Sequence, residues 1–140
     1  MDNNERRNII LSNYQDNTNR KDVDDNDYIK VNSRNASCID NINIYIKINN
    51  NIIEDIKFNG EACVIAISST VTLIKNLINK NINDALYIIN NYEKMVEGLD
   101  YDVNVLNELL AFDDISKQPY RKICATLASR KIKEILEKSM

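Results

Sequence analysis

Histidine is absent from the 140 residues. Any metal site in this chain must therefore be completed without imidazole. Proline occurs once, at Pro119, and glycine twice, at Gly60 and Gly98. Such scarce punctuation makes each of the three positions informative about where an element starts or stops. Long apolar runs are also missing, so no segment is suited to span a bilayer. The opening residues MDNNERRNII lack the apolar core and small-residue cleavage site of a secretory signal. There is no excess of positive charge: the formal net charge is −3, with both signs interspersed, which argues against nucleic acid as a partner. Three cysteines is an odd number and does not suit a disulfide framework. The expectation is a cytoplasmic chain with no membrane and no nucleic-acid partner, in which the thiols serve metal binding or thiol chemistry.

What is abundant is isoleucine, asparagine and lysine. All three have A/T-rich codons, so many surface asparagines need no functional explanation. The length suits one domain, 1–140, with a core of its own. Residues 5–14 read as a short amphipathic helix. Residues 15–27 are polar without an apolar period and read as a flexible loop. Tyr28 to Asn32 suggests a first strand. Ile42, Ile44, Ile46 and Ile48 then alternate with polar residues, which puts all four on one face of a second strand. Asn49, Asn50 and Asn51 make a turn, and Ile52 to Phe58 returns antiparallel with Ile56 and Phe58 facing inward.

From Ala66 the period changes. Ile67, Val71, Ile74 and Ile78 form one stripe of a helix. Residues 82–97 form another, ended by Gly98, and residues 103–111 suggest a third, short one. Pro119 suits the first turn of a final helix whose stripe is Cys124, Ala128, Ile132 and Ile135. The predicted architecture is α+β: an N-terminal helix and a three-stranded antiparallel meander packed on one face by helices.

The chemistry-bearing residues are Cys38, Asp40, Cys63 and Cys124. Cys38 and Asp40 stand at i and i+2, so in an extended segment their side chains point the same way. Cys63 falls between a strand and a helix, where free N–H groups and the helix dipole favour a thiolate. Cys124 lies near the start of the last helix, beside Arg121 and Lys122. Three thiolates and a carboxylate make a complete ligand set for zinc or iron. Cys63 and Cys124 would serve equally well as small buried hydrophobes, and Asp40 as a turn or capping carboxylate. Spacing alone leaves both readings open.

The local contexts carry more. Cys38-Ile39-Asp40, then Gly60-Glu61-Ala62-Cys63, then Arg121-Lys122-Ile123-Cys124-Ala125-Thr126-Leu127 occur in that order. With the opening stretch Arg7 to Tyr14, they resemble the NifU/IscU/SufU family of iron–sulfur cluster assembly proteins, over about residues 5–138. The long gap between Cys63 and Cys124, and Ile123 where IscU types have histidine, make the SufU type the nearer likeness. Ile39 stands where the family usually has glycine, and Ile123 where SufU types have lysine. The Leu-Pro-Pro-Val-Lys motif read by a chaperone is absent.

The resemblance implies Zn²⁺ held by Cys38, Asp40, Cys63 and Cys124, with Cys38 as sulfur acceptor and Arg121 as a contact for the partner or its persulfide. The implied partner is a pyridoxal-phosphate-dependent cysteine desulfurase, and the implied recipients are apo iron–sulfur proteins or downstream assembly factors. On that reading the chain is a sulfurtransferase-like relay rather than a stand-alone enzyme. The alternative is a scaffold on which the same residues hold iron as a nascent [2Fe–2S] cluster.

Overall fold

The structure is a computed structural model describing residues 1–140. Helix α1 (Asn3–Tyr14) precedes three strands, β1 (Ile29–Arg34), β2 (Asn41–Asn49) and β3 (Ile52–Glu61). Helices α2 (Val64–Leu77) and α3 (Ile82–Glu97) follow, then a run of 3₁₀ segments between Val103 and Arg121, then α4 (Lys122–Ala125) and α5 (Leu127–Lys138). The sheet is antiparallel in the order β1-β2-β3. This is the α+β meander that the alternating isoleucines predicted.

Alternation decides the sheet's inner face. Ile42, Ile44 and Ile46 of β2 and Ile56 and Phe58 of β3 are at most 1% exposed. Ile44 pairs with Phe58 and Ile46 with Ile56, so these side chains pack across the ladder. Each such burial contributes about 1.5–3 kcal/mol. A bulge after Lys47 breaks the register, and Ile48 beyond it is only half-buried. The hairpin between β2 and β3 turns on Asn50 and Asn51, both with positive φ (52° and 65°). Two left-handed residues are what a tight hairpin matching the strand twist requires, and asparagine tolerates that conformation. On the outer face Asn32, Asn43 and Asn59 are joined by side-chain hydrogen bonds of 3.1 Å.

Helix α2 is buried nearly all round, not along one stripe. Ser68, Ser69, Thr70 and Thr72 are as hidden as Ile67, Val71 and Ile74. Their hydroxyls are tolerated there because each donates to a carbonyl. Thr70 bonds Ala66 O at 2.7 Å, Thr72 bonds Ser68 O at 2.7 Å, and Ser68 reaches across to Ile10 O at 2.8 Å. Helix α5 packs on β1 and β2, and α2 packs against α5, β3 and α1. A single apolar cluster runs from Ile42 to Leu136.

Two connections differ from their sequence reading. The polar segment 15–27 has no regular helix or strand, but its centre is tied to the edge of β3. Phe58 N–H donates to Asn19 O (3.0 Å) and Lys21 N–H donates to Phe58 O (2.8 Å). The stretch read as a short helix over 103–111 is 3₁₀ and extends through Asn107–Lys117. Leu109, Phe112 and Ile115, with Leu106 just before the segment, are buried at every third position, and three residues per turn put them on one face, with Ala111 buried beside it. The guanidinium of Arg6 clasps Asp113 at 2.6 and 3.1 Å and fastens α1 to this segment.

The end of β3 carries the constraint that matters most for the site. Gly60 has φ 121°, and a Cβ there would lie 2.3 Å from Asn41 O. Only glycine lets β3 pass that close to the start of β2 three residues before Cys63. Gly60→Ala is expected to lower the unfolding free energy by more than about 1 kcal/mol, read from urea denaturation. An unchanged midpoint would show that this close approach is not required.

Candidate metal centre

The β1–β2 connection presents Cys38 at its tip. Asn35 N–H donates to Asp40 O (3.0 Å) and Cys38 N–H to Asn35 O (3.1 Å), which closes the loop on itself. The side chain of Asn35 accepts from both Ser37 N–H (3.2 Å) and Ser37 Oγ–H (2.8 Å). Cys38 is thereby held exposed. Ile39 is 70% exposed, and its backbone φ is not positive. The usual glycine is therefore not a steric requirement at that position in this chain.

Asp40 turns inward and is 1% exposed. Its Oδ1 accepts from Cys63 N–H at 2.8 Å, and its Oδ2 lies 3.8 Å from Cys63 Sγ. Cys63 is the N-cap of α2, and its Sγ accepts from Ala66 N–H at 3.4 Å. That helix end therefore directs N–H groups at both the carboxylate and the thiol. Cys124 sits in the single turn of α4, 8% exposed. Ligand atoms of Cys38, Asp40 and Cys124 lie within 4.8 Å of one another. Cys63 stands outside that mutual set but adjoins both Asp40 and Cys124.

The four residues form one wall of a cleft or lie just behind it. The cleft holds about 540 Å³ and is lined by all three cysteines together with Asn35, Ser37, Val64, Ile65, Tyr120 and Arg121. Arg121 stacks its guanidinium 5.6 Å above the exposed Tyr120 ring. Lys122, the other cation near Cys124 in sequence, instead pairs with Glu97 at 3.4 Å.

Burial pushes the Cys124 thiol well above its ordinary range, and the neighbouring Asp40 carboxylate and Cys63 thiol push it further. A low-dielectric pocket disfavours a thiolate beside another anion. Asp40 is itself a buried carboxylate with no cationic side chain bonded to it. Such a charge is costly unless a positive ion offsets it. Donors of three sulfurs and one oxygen suit a tetrahedral divalent ion, around which ligand atoms stand roughly 3.3–3.8 Å apart. Cys38, Asp40 and Cys124 lie close to that spacing and Cys63 Sγ is 3.8 Å from Asp40, so the donor set fits a divalent metal ion.

Sequence reading missed two features of this pocket. One is that Asp40 braces Cys63 through the backbone. The other is Asn35, whose Asx turn shapes the Cys38 loop and was signalled only by its place two residues before Ser37.

An α+β fold that gathers thiols and a carboxylate at one end of its meander has the donor set of a metal-binding protein. The chain belongs to the family described as the NifU-like N terminal domain, which matches residues 5–137. It is 33% identical over 123 residues to the zinc-dependent sulfurtransferase SufU of Bacillus subtilis, covering 87% of this chain and 82% of that protein. It is 32% identical over 105 residues to the iron–sulfur cluster assembly scaffold protein IscU of Thermotoga maritima, covering 75% of this chain and 74% of that protein. The crystal structure of a SufU from Fervidobacterium islandicum, assigned there as a putative assembly scaffold for the SUF system, superposes with a TM-score of 0.87 at 28% identity. That match covers 91% of this chain and 93% of the other.

Two outcomes test the pocket itself. Asp40→Ala removes the acceptor of the half-buried Cys63 N–H and is expected to destabilise the protein by about 1–3 kcal/mol. Asp40→Asn keeps an oxygen for that N–H and should lose less, as read by thermal unfolding. The second outcome concerns pH. A thiol whose folded-state pKa is raised stabilises the fold below its ordinary pKa of 9.0 and loses that contribution as pH rises beyond it. Metal-free protein should therefore melt at a lower temperature at pH 10 than at pH 8, and Cys124→Ala should flatten that dependence.

Proposed function

We propose that this chain accepts sulfur for iron–sulfur cluster assembly, taking it as a persulfide on Cys38 from a pyridoxal-phosphate-dependent cysteine desulfurase. The observation that carries the reading is the convergence of three thiols on a buried carboxylate that lacks a cationic partner, with one thiol, Cys38, left exposed. Cys38, Asp40, Cys63 and Cys124 would hold zinc. When bound, zinc keeps the thiols deprotonated at neutral pH and shields them from oxidation.

The exchange itself is thiol chemistry. The Cys38 thiolate attacks the terminal sulfur of the incoming persulfide. The bond between that sulfur and the donor cysteine breaks, the donor leaves as a thiolate, and Cys38 carries the sulfur as its own persulfide. Exposure at a loop tip suits Cys38 to meet a partner, whereas Cys63 and Cys124 are recessed and suited to stay as ligands. Arg121 lines the same cleft and joins no ion pair within the chain, so its charge is available to the anionic persulfide or to the partner. Apo iron–sulfur proteins or downstream assembly factors would then take the sulfur.

The 33% likeness to a zinc-dependent sulfurtransferase, over more of this chain than the likeness to IscU covers, supports relay over cluster scaffolding. The scaffold reading predicts a coloured protein with iron and sulfide after anaerobic purification. The relay reading predicts one zinc per chain, no chromophore, and faster desulfurase turnover when this protein is added. Cys38→Ala is expected to melt within a few degrees of the parent and to gain no sulfur from a desulfurase and cysteine. A stable 32 Da adduct on that variant, seen by intact mass spectrometry, would remove Cys38 from its assigned role.

A further inference from the structure

The helix that carries Cys124 is interrupted at Thr126, whose φ of −111° and ψ of 14° fall off the helical values on either side. Sequence periodicity gives no cause for the break, since Cys124, Ala128, Ile132 and Ile135 continue one stripe through it. Two buried hydroxyls from distant elements bond the carbonyls on either side of it. Tyr92, on α3 and fully buried, donates its hydroxyl to Ala125 O at 2.7 Å. Ser33, on β1 and 2% exposed, donates to Leu127 O at 2.6 Å. Those carbonyls flank Thr126, and the Thr126 hydroxyl itself turns back to Lys122 O at 2.8 Å. Hydroxyls from Tyr92, Ser33 and Thr126 thus bond carbonyls around one residue, and side chains at the helical carbonyl ladder are a recognised source of distortion.

We propose that Tyr92 and Ser33 are positioning residues for Cys124. They hold α4 as a separate turn, so the Cys124 thiol faces Asp40 rather than following the course that α5 takes over the sheet. Ser33 also links the two halves of the site. It lies two residues before Asn35, which begins the Cys38 loop, so one hydrogen bond ties the strand feeding Cys38 and Asp40 to the junction after Cys124. Tyr92 is suited to this task because burial raises its pKa and keeps it a hydroxyl donor at every working pH. Its ring is fixed edge-on against Phe112, with centroids 6.3 Å apart, so the hydroxyl has little freedom to seek another partner. Groups that orient ligands in this way support metal affinity without touching the ion.

This inference rests on the metal-binding part of the proposed function, not on sulfur transfer, and the experiment keeps them apart. The full chain would be prepared as Tyr92→Phe, Ser33→Ala and Ser33→Thr. Zinc retention would be read by competition with a chromogenic chelator. In metal-free, reduced protein, alkylation of each cysteine by iodoacetamide would be followed by peptide mass spectrometry. Tyr92→Phe and Ser33→Ala are expected each to weaken zinc retention by about tenfold. Both should speed alkylation of Cys124 several-fold while leaving Cys38 unchanged, and Ser33→Thr should restore parental values.

If both variants merely melt earlier, with Cys124 alkylation and zinc retention unchanged, the tethers are only structural and the inference is overturned. Equal acceleration at all three cysteines would indicate general loosening and overturn it too. If one variant fails to fold, the other decides, because each tether is assigned the same effect. Should the parent bind no zinc, the proposed function fails at once, whereas the Cys124 alkylation pattern still tests the tethers.

Discussion

A buried carboxylate organises this molecule's functional end. Asp40 gives one oxygen to the backbone N–H of Cys63 and leaves the other among thiols, with no cationic side chain bonded to it. The first contact is structural: it locks the start of α2 to the loop between β1 and β2. The second leaves a buried carboxylate oxygen to which no cationic side chain is bonded. A fold can keep such a group only if its surroundings are rigid and some positive species offsets the charge. The thiols around Asp40 suit a soft divalent ion, so the electrostatic need and the ligand chemistry point to the same occupant.

The remaining architecture serves that arrangement in layers. Gly60 lets β3 pass within touching distance of the start of β2, which brings Cys63 beside Asp40. The buried hydroxyl-bearing helix α2 then carries the N-terminal end of its dipole to the cleft. Helix α5 covers the sheet, and the break at Thr126 separates the geometry of that cover from the placement of Cys124. Among the three thiols only Cys38 lies at the tip of a loop and is exposed, which is why the proposed exchange is assigned to it. Recessed thiols at helix starts and one exposed thiol on a loop suit the proposed relay, in which one sulfur is presented while the others stay in place.

Much of the fold was legible before any coordinates. Alternating isoleucines at Ile42, Ile44 and Ile46 dictate a strand with one buried face, and Asn50-Asn51 and Gly98 mark conformations those residues favour. The three cysteine contexts likewise identify the family, and the four residues of the site were readable as candidates from their types. The 3₁₀ segment was readable in principle from Leu106, Leu109, Phe112 and Ile115, but a three-residue spacing is easily absorbed into a helical one. The all-round burial of α2 was not readable, because Ser68, Thr70 and Thr72 look polar until their carbonyl partners are known.

Local sequence, then, determined what depends on neighbours along the chain: strand alternation, turn conformations, helix ends and the donor chemistry of Cys38, Asp40, Cys63 and Cys124. Tertiary structure alone decided which groups meet. It turned Lys122 away to Glu97 while leaving Arg121 at the cleft, and it brought the hydroxyls of Tyr92 and Ser33 to the carbonyls on either side of the break in the last helix. It also bound Asp40 to a backbone N–H 23 residues further along the chain. Hydrogen bonds and Coulomb interactions act over a few ångströms in space, and periodicity along a chain carries no record of which distant segment will fill that space.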